Sequence, residues 1–293
     1  GPRGVPSRTP VWMHDRPILD ARRPPAVEGP GSRVGAVEAA VPWDRPRPRA
    51  AEEGAFEVAA EAMRELRARE FGRLDAAGIA YLDYTGSGLY PESLVRRHAD
   101  WLCRHVLGNP HSQNPSAALS TAALEEARRR VLDFFRADPA EYVVAFTANA
   151  TAALKLVGES YPFGPRSRLL LTADNHNSVN GIREFARARG AAVEYVPLDE
   201  ELRAPELPAR LASADPSVPN LLAYPAQSNF SGVRHPLAWV ALARKAGYDV
   251  LLDAAAYVPT SRLDLREVRP DFVALSFYKM FGYPTGIGCL IAK

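Results

Sequence analysis

The sequence predicts an α/β fold: a seven-stranded, mainly parallel sheet covered by helices on both faces. Three observations carry this. From Tyr142 onward, seven short runs are apolar almost throughout, where a sheet with one wet face would alternate. Most of them are separated by a segment of helical length and pattern, as parallel crossovers require. The last two, 272–277 and 286–292, are joined only by a short Gly/Pro turn around Pro284, which permits just an antiparallel return.

Taken in order, residues 1–50 are rich in Pro, Arg and Gly, have no sustained period, and are expected to be disordered or loosely draped. Residues 51–293 are expected to form one large domain that opens with a helical arm over 51–120. In that arm Phe56, Ala60, Met63, Leu66 and Phe71 share one helical face over 56–78, and Gly78 is the stop. The β-rich "IAYLDYT", 79–85, reads as a short strand. A helix follows over 91–107 with Pro91 at its start, then a polar loop over 108–119. The next helix, 120–137, takes Ser120 as its N-cap. The strand-like runs then fall at 142–148, 168–173, 192–198, 220–226, 249–255, 272–277 and 286–292. The first residue is Gly and the last follows directly on a strand, so both ends look cut.

Composition narrows the function classes. A formal net charge of +2 gives no electrostatic case for nucleic acid or a membrane surface. Two cysteines, Cys103 and Cys289, are too few for a disulfide framework, lack metal-ligand spacing, and fit a reducing, cytoplasmic compartment. No apolar run approaches the roughly 20 residues of a membrane span.

Lysine usage points to chemistry. The chain has only Lys155, Lys245, Lys279 and Lys293, its other basic residues being arginine. Lys279 interrupts two strand-like runs in "SFYKMFGYPTGIGCLI". A lysine in such a break is usually a solvated loop residue. Unlike arginine, however, a desolvated lysine can lose its proton and act as an amine nucleophile. In sheets of this kind ligands bind beyond the carboxyl ends of the strands. Along that rim stand the small polar residues Thr147, Asn149 and Thr151 at a helix start, where free N–H groups favour an anion. His176 follows the next run, Gln227 and Asn229 a third, Asp253 a fourth, and Ser276 with Lys279 a fifth. Asp253, ending an apolar run, is costly unless paired. Together these groups suit pyridoxal 5'-phosphate, which needs a lysine, a carboxylate for its ring nitrogen, an aromatic face and a helix N-terminus for its phosphate.

Over 79–293 the chain resembles the class V aminotransferase and cysteine desulfurase group of fold type I pyridoxal-phosphate enzymes. Within it, "NPHSQN", "FTANATAALKLV", "YPAQSNFSGVRHPL", "LLDAAAYV" and "SFYKMFGYPTGIG" are most similar to the N-terminal domain of molybdenum cofactor sulfurases. The resemblance implies the large domain of that fold. It makes Lys279 the residue that carries the cofactor, Asp253 the partner of its ring nitrogen, and His176 the ring stacked on it. Thr151 with the Ala150 N–H, and Ser276, would hold the phosphate. Asn229 would lie near the cofactor oxygen or the substrate carboxylate. Ala256 stands where desulfurases commonly have glutamine, so that contact is missing or supplied by Gln227 or Asn229. Tyr278 replaces a common histidine, and Asn149 a common glycine.

The activity implied is sulfur transfer from L-cysteine to the molybdenum cofactor, in a homodimer. Another class V aminotransferase or lyase reaction and a non-catalytic module of the same fold stay open. In the family a small C-terminal domain brings the persulfide-forming cysteine and an arginine for the substrate carboxylate. Both would lie beyond Lys293, and neither Cys103 nor Cys289 matches that nucleophile, so the chain is expected to be a fragment.

Overall fold

The computed structural model describes residues 50–212 and 214–293. The expectation for the Pro/Arg-rich start lies outside the described residues. Helix α1 spans Ala50–Ala77 and breaks its helical dihedrals at Phe71, beside Gly72. Gly78 ends it with φ +63°, the left-handed stop that glycine adopts freely. Helix α2, Glu92–Arg104, follows Pro91, whose side chain offers no cap. The buried Glu70 of α1 supplies one instead: its Oε2 accepts the Ser93 N–H at 2.9 Å.

Two expectations fail in this arm. Residues 79–85 form no strand. Leu82 is 88% exposed, and the local bonds are those of a turn, with Gly86 and Ser87 N–H both donating to the Asp83 carbonyl. The Tyr81 hydroxyl fixes that turn by donating toward the carbonyls of Asp83 and Ser87. The third helix, α3, spans Pro115–Phe134 and so begins inside the expected polar loop. Asn114 caps it, accepting the Ala117 N–H at 2.9 Å, while Pro115 takes the position where a missing N–H costs nothing. Ser120 lies within the helix and donates back to the Ser116 carbonyl.

The seven strands form as the apolar runs require: β1 Val143–Thr147, β2 Arg168–Thr172, β3 Ala192–Val196, β4 Leu221–Pro225, β5 Asp249–Asp253, β6 Phe272–Ser276 and β7 Gly288–Ala292. Between β1 and β2 runs α4, Ala150–Ser160; between β2 and β3 run α5, Asn177–Asn180, and α6, Ile182–Ala188. Helices α7, Leu207–Leu211, and α8, Trp239–Lys245, flank β4, and the single turn α9, Phe277–Phe281, follows β6. The sheet order is β1-β7-β6-β5-β4-β2-β3. All neighbours are parallel except β7, which is antiparallel to β1 and to β6. This is the predicted architecture of six strands one way and one reversed.

Alternate residues of each strand feed two cores. Leu170, Leu222, Leu252, Val273 and Ile291 pack with Phe135, Leu207 and Trp239 on one face. Leu169, Leu171, Leu251, Ala274 and Leu290 pack with Leu154, Val157 and Ile182 on the other. Burial on both faces is the reason the runs read as unbroken apolar stretches. It also leaves the carboxyl rim of the sheet as the place where polar side chains gather.

Candidate active site

At the end of β6 the chain leaves the sheet at Ser276 and makes the one turn of α9, which closes on Gly282 at φ +70°. Lys279 sits on that turn. Segment 86–90 lies against it: the Gly88 N–H donates to the Tyr278 carbonyl at 3.1 Å. A side chain on Gly282 would stand 2.3 Å from the Tyr90 nitrogen and 2.6 Å from the Gly88 oxygen, so the two stretches touch backbone to backbone. This contact takes the place of the expected strand. Among the described residues the Lys279 amine has no hydrogen-bond or ion-pair partner.

Asp253 ends β5 and is buried. Its Oδ1 accepts the Ala255 N–H at 3.0 Å. Burial pushes its carboxyl above the usual range, and the Ala255 hydrogen bond with the nearby charges of Lys279 and His176 offsets this only in part. A buried carboxylate in that condition favours a proton or a cationic N–H close by.

The corner of the pocket at the start of α4 comes from β1 and α4. Asn149 caps α4, its side chain accepting the Ala152 N–H at 2.9 Å, which gives the departure from glycine a structural role. The Ala150 N–H donates to Ser276 Oγ at 2.8 Å and ties the start of α4 to the end of β6. The Thr151 hydroxyl meets Ser178 Oγ at 2.7 Å. His176 caps α5: its Nδ1 accepts the Ser178 N–H at 3.1 Å. Beneath it lies a pair that sequence reasoning passed over. His235 Nε2 is 2.8 Å from Asp174 Oδ2, with side chains 1% and 2% exposed, and the His235 ring stacks on Trp239. Burial alone would raise the Asp174 carboxyl, but the hydrogen bond and charge of His235, helped by Thr172 and Ser228, hold it below the usual range. The Gln227 Oε1 accepts from Arg234 at 3.2 Å, and Asn229 is exposed on the same loop.

Ala150, Thr151, His176, Gln227, Asn229, Asp253, Ser276 and Lys279 all line one pocket, together with Ala256, Tyr278 and Ser178. The residues singled out on the rim are therefore brought together, except Thr147, which lines a different pocket and donates its hydroxyl to the Asn149 carbonyl at 2.8 Å. Ser178 was missed, although its spacing two residues after His176 is what lets its N–H reach back to the ring. The cysteines lie apart from this pocket: Cys103 is exposed on α2, while Cys289 is buried in β7, which pushes its thiol up to about 12.

Three comparisons bear on this geometry. The family model described as aminotransferase class-V matches residues 80–293. The molybdenum cofactor sulfurases of Bos taurus and Homo sapiens are 44% and 43% identical to the chain, over 79% and 78% of it, but over only 28% and 27% of their own lengths. The chain thus spans under a third of those relatives. A cysteine desulfurase from Escherichia coli superposes with a TM-score of 0.65 at 28% identity, covering 78% of this chain and 57% of that one. A second, from Thermococcus onnurineus, gives a TM-score of 0.70 at 24% identity, which bears on the fold alone. Pyridoxal 5'-phosphate is the cofactor of this family, and its fold type I sheet is the one described above. With the family model matched across the sheet and every rim residue just described, the chain belongs to the aminotransferase class-V family.

Proposed function

We propose that this chain is the cofactor-binding part of a pyridoxal-phosphate-dependent sulfurtransferase that takes sulfur from L-cysteine and serves the molybdenum cofactor. The observation that carries the reading is the pairing, in one pocket, of a buried carboxylate with no ion-pair contact, Asp253, and an amine with no hydrogen-bond partner among the described residues, Lys279. That donor set fits the cofactor: a protonated ring nitrogen satisfies the first, and a carbonyl carbon the second. When bound, pyridoxal 5'-phosphate supplies an electron sink that loosens the bonds at the substrate's Cα and Cβ.

The chain's own residues then have separable tasks. Asp253 holds a proton at the ring nitrogen. Lys279 would carry the cofactor and would be the base on hand for an α-proton of a bound substrate. His176 covers the ring face. Thr151 and Ser276 bind the phosphate beside the start of α4. With Ala256 in place of an amide, Gln227 and Asn229 are the groups available to the cofactor's phenolic oxygen and the substrate carboxylate. The sulfur-accepting thiol is neither Cys103 nor Cys289, since neither lines the pocket.

The relatives' names support the sulfur-transfer reading over other class V reactions. The same reading takes residues 51–293 as the large domain and a cytoplasmic homodimer as the working form. Two unpaired cysteines suit that compartment, no described helix is long and apolar enough to cross a membrane, and sedimentation would decide the dimer. The test of the site is the visible absorbance of the chain with added pyridoxal 5'-phosphate, beside a Lys279→Ala variant. A band removed by borohydride and missing from the variant is the expected result. The absence of any such band from the unmutated chain would refute the assignment.

A further inference from the structure

Thr151, Ser178 and His176 form an unbroken row along the pocket wall. Thr151 Oγ1 lies 2.7 Å from Ser178 Oγ, Ser178 Oγ lies 3.0 Å from His176 Nδ1, and the Ser178 N–H donates to that same Nδ1 at 3.1 Å. Proton bookkeeping along the row fixes the imidazole and leaves the two hydroxyls two arrangements. A backbone N–H can only donate, so Nδ1 must accept, and the ring proton of a neutral His176 sits on Nε2. The Ser178 hydroxyl proton can go to Nδ1, with Thr151 donating to Ser178 Oγ, or to Thr151 Oγ1; an anion at the start of α4 draws the Thr151 proton to itself and so favours the second. Thr151, accepting there, has its own hydroxyl proton left to give. Its backbone N–H, on the first turn of the eleven-residue α4, also has no acceptor among the described residues.

We propose that Ser178 is a positioning residue. Its backbone N–H fixes His176 as the Nε2–H tautomer, and its hydroxyl orients the Thr151 hydroxyl as a donor toward a phosphate group bound at the start of α4. This rests on the cofactor reading above and adds to it a division of labour: one serine sets both the ring that covers the cofactor and the hydroxyl that grips its phosphate. Local sequence makes this possible. The His-Asn-Ser order places the serine N–H at the capping distance from the imidazole, and α5 begins there because the histidine caps it.

The test compares pyridoxal 5'-phosphate, pyridoxal and inorganic phosphate binding to the chain and to Ser178→Ala, Ser178→Thr and Thr151→Val variants. Ser178→Ala keeps the N–H and loses the hydroxyl. It is expected to weaken both phosphate-bearing probes roughly three- to tenfold and leave pyridoxal unchanged, while Ser178→Thr retains the original affinities. In the Thr151→Val background, Ser178→Ala is expected to have no further effect. Unaltered phosphate affinity, an equal loss for pyridoxal, or an added loss in the double variant would each overturn the proposal, the last by making Ser178 a direct ligand. Imidazole nitrogen chemical shifts of His176 in the cofactor-free protein provide the second readout. A protonated Nδ1 refutes the tautomer whether or not any cofactor binds. A chain with the expected tautomer and phosphate response that fails to bind pyridoxal 5'-phosphate instead refutes the functional reading alone.

Discussion

Replacing His235 with leucine isolates one buried contact whose cost can be worked from the geometry. The change leaves the Asp174 carboxylate with a side chain 2% exposed and no imidazole partner, and with Oδ1 already lacking one. Removing one member of a buried pair costs about 3–5 kcal/mol, against roughly 5–15 kcal/mol for the stability of a whole domain. For a domain of this size that corresponds to a Tm lower by roughly 6–20 °C. Urea unfolding at pH 7 is the assay, and the midpoint should fall with the slope unchanged.

The pH response carries a sign of its own. In the unmutated chain the Asp174 carboxyl is held below its unfolded value, so its contribution is complete above that value, about 3.9, and is lost as pH falls through the lower folded value. Without His235, burial is the largest single influence left, opposed only by the Thr172 and Ser228 hydrogen bonds, and the folded value is expected to rise. The variant then recovers stability as pH falls, and its deficit narrows from pH 7 toward pH 5. Changing Asp174 to leucine as well removes the stranded charge and should restore part of the loss. A deficit below about 1 kcal/mol, or one that does not narrow with acid, refutes the reading that the buried Asp174 depends on His235.

Two further outcomes follow from named contacts. Asn149→Ala removes the cap of α4 and should cost about 1 kcal/mol, read as a Tm lower by roughly 2–4 °C. Gly282→Ala puts a Cβ against Tyr90 and Gly88 at a left-handed φ; it should cost about 1–3 kcal/mol and lower the yield of borohydride-fixed cofactor at Lys279.

What the sequence disclosed follows from how each signal is encoded. The strands were legible because burial on two faces writes itself as a continuous apolar run. Asp253 was legible because a carboxylate at the end of such a run has few reasons to be there. The arm was less so. Ile79, Tyr81 and Tyr84 have strand-like chemistry, but no sheet edge is there to receive them, and the Tyr81 hydroxyl secures a turn instead. For α3, Asn114 and Pro115 together outcompeted Ser120, and both were visible, but the loop reading had absorbed them. His235 and Asp174 are far apart in the chain, so nothing local announces their contact. Ser178 became meaningful only once His176 was known to cap a helix.

The position of β7 has a consequence for how the protein is made. Among the described residues, strand β1 pairs only with β7, Val143 standing opposite Ala292, so β1 joins the sheet only through a segment far downstream of it. Such pairings are slow because the loop they close is long. The start of α4 follows β1 directly, and Lys279 stands just before β7. The phosphate corner and the lysine therefore come into register only when residues 288–292 dock between β1 and β6. A chain whose β7 has not docked is expected to bind cofactor poorly and to expose β1 to unwanted pairing.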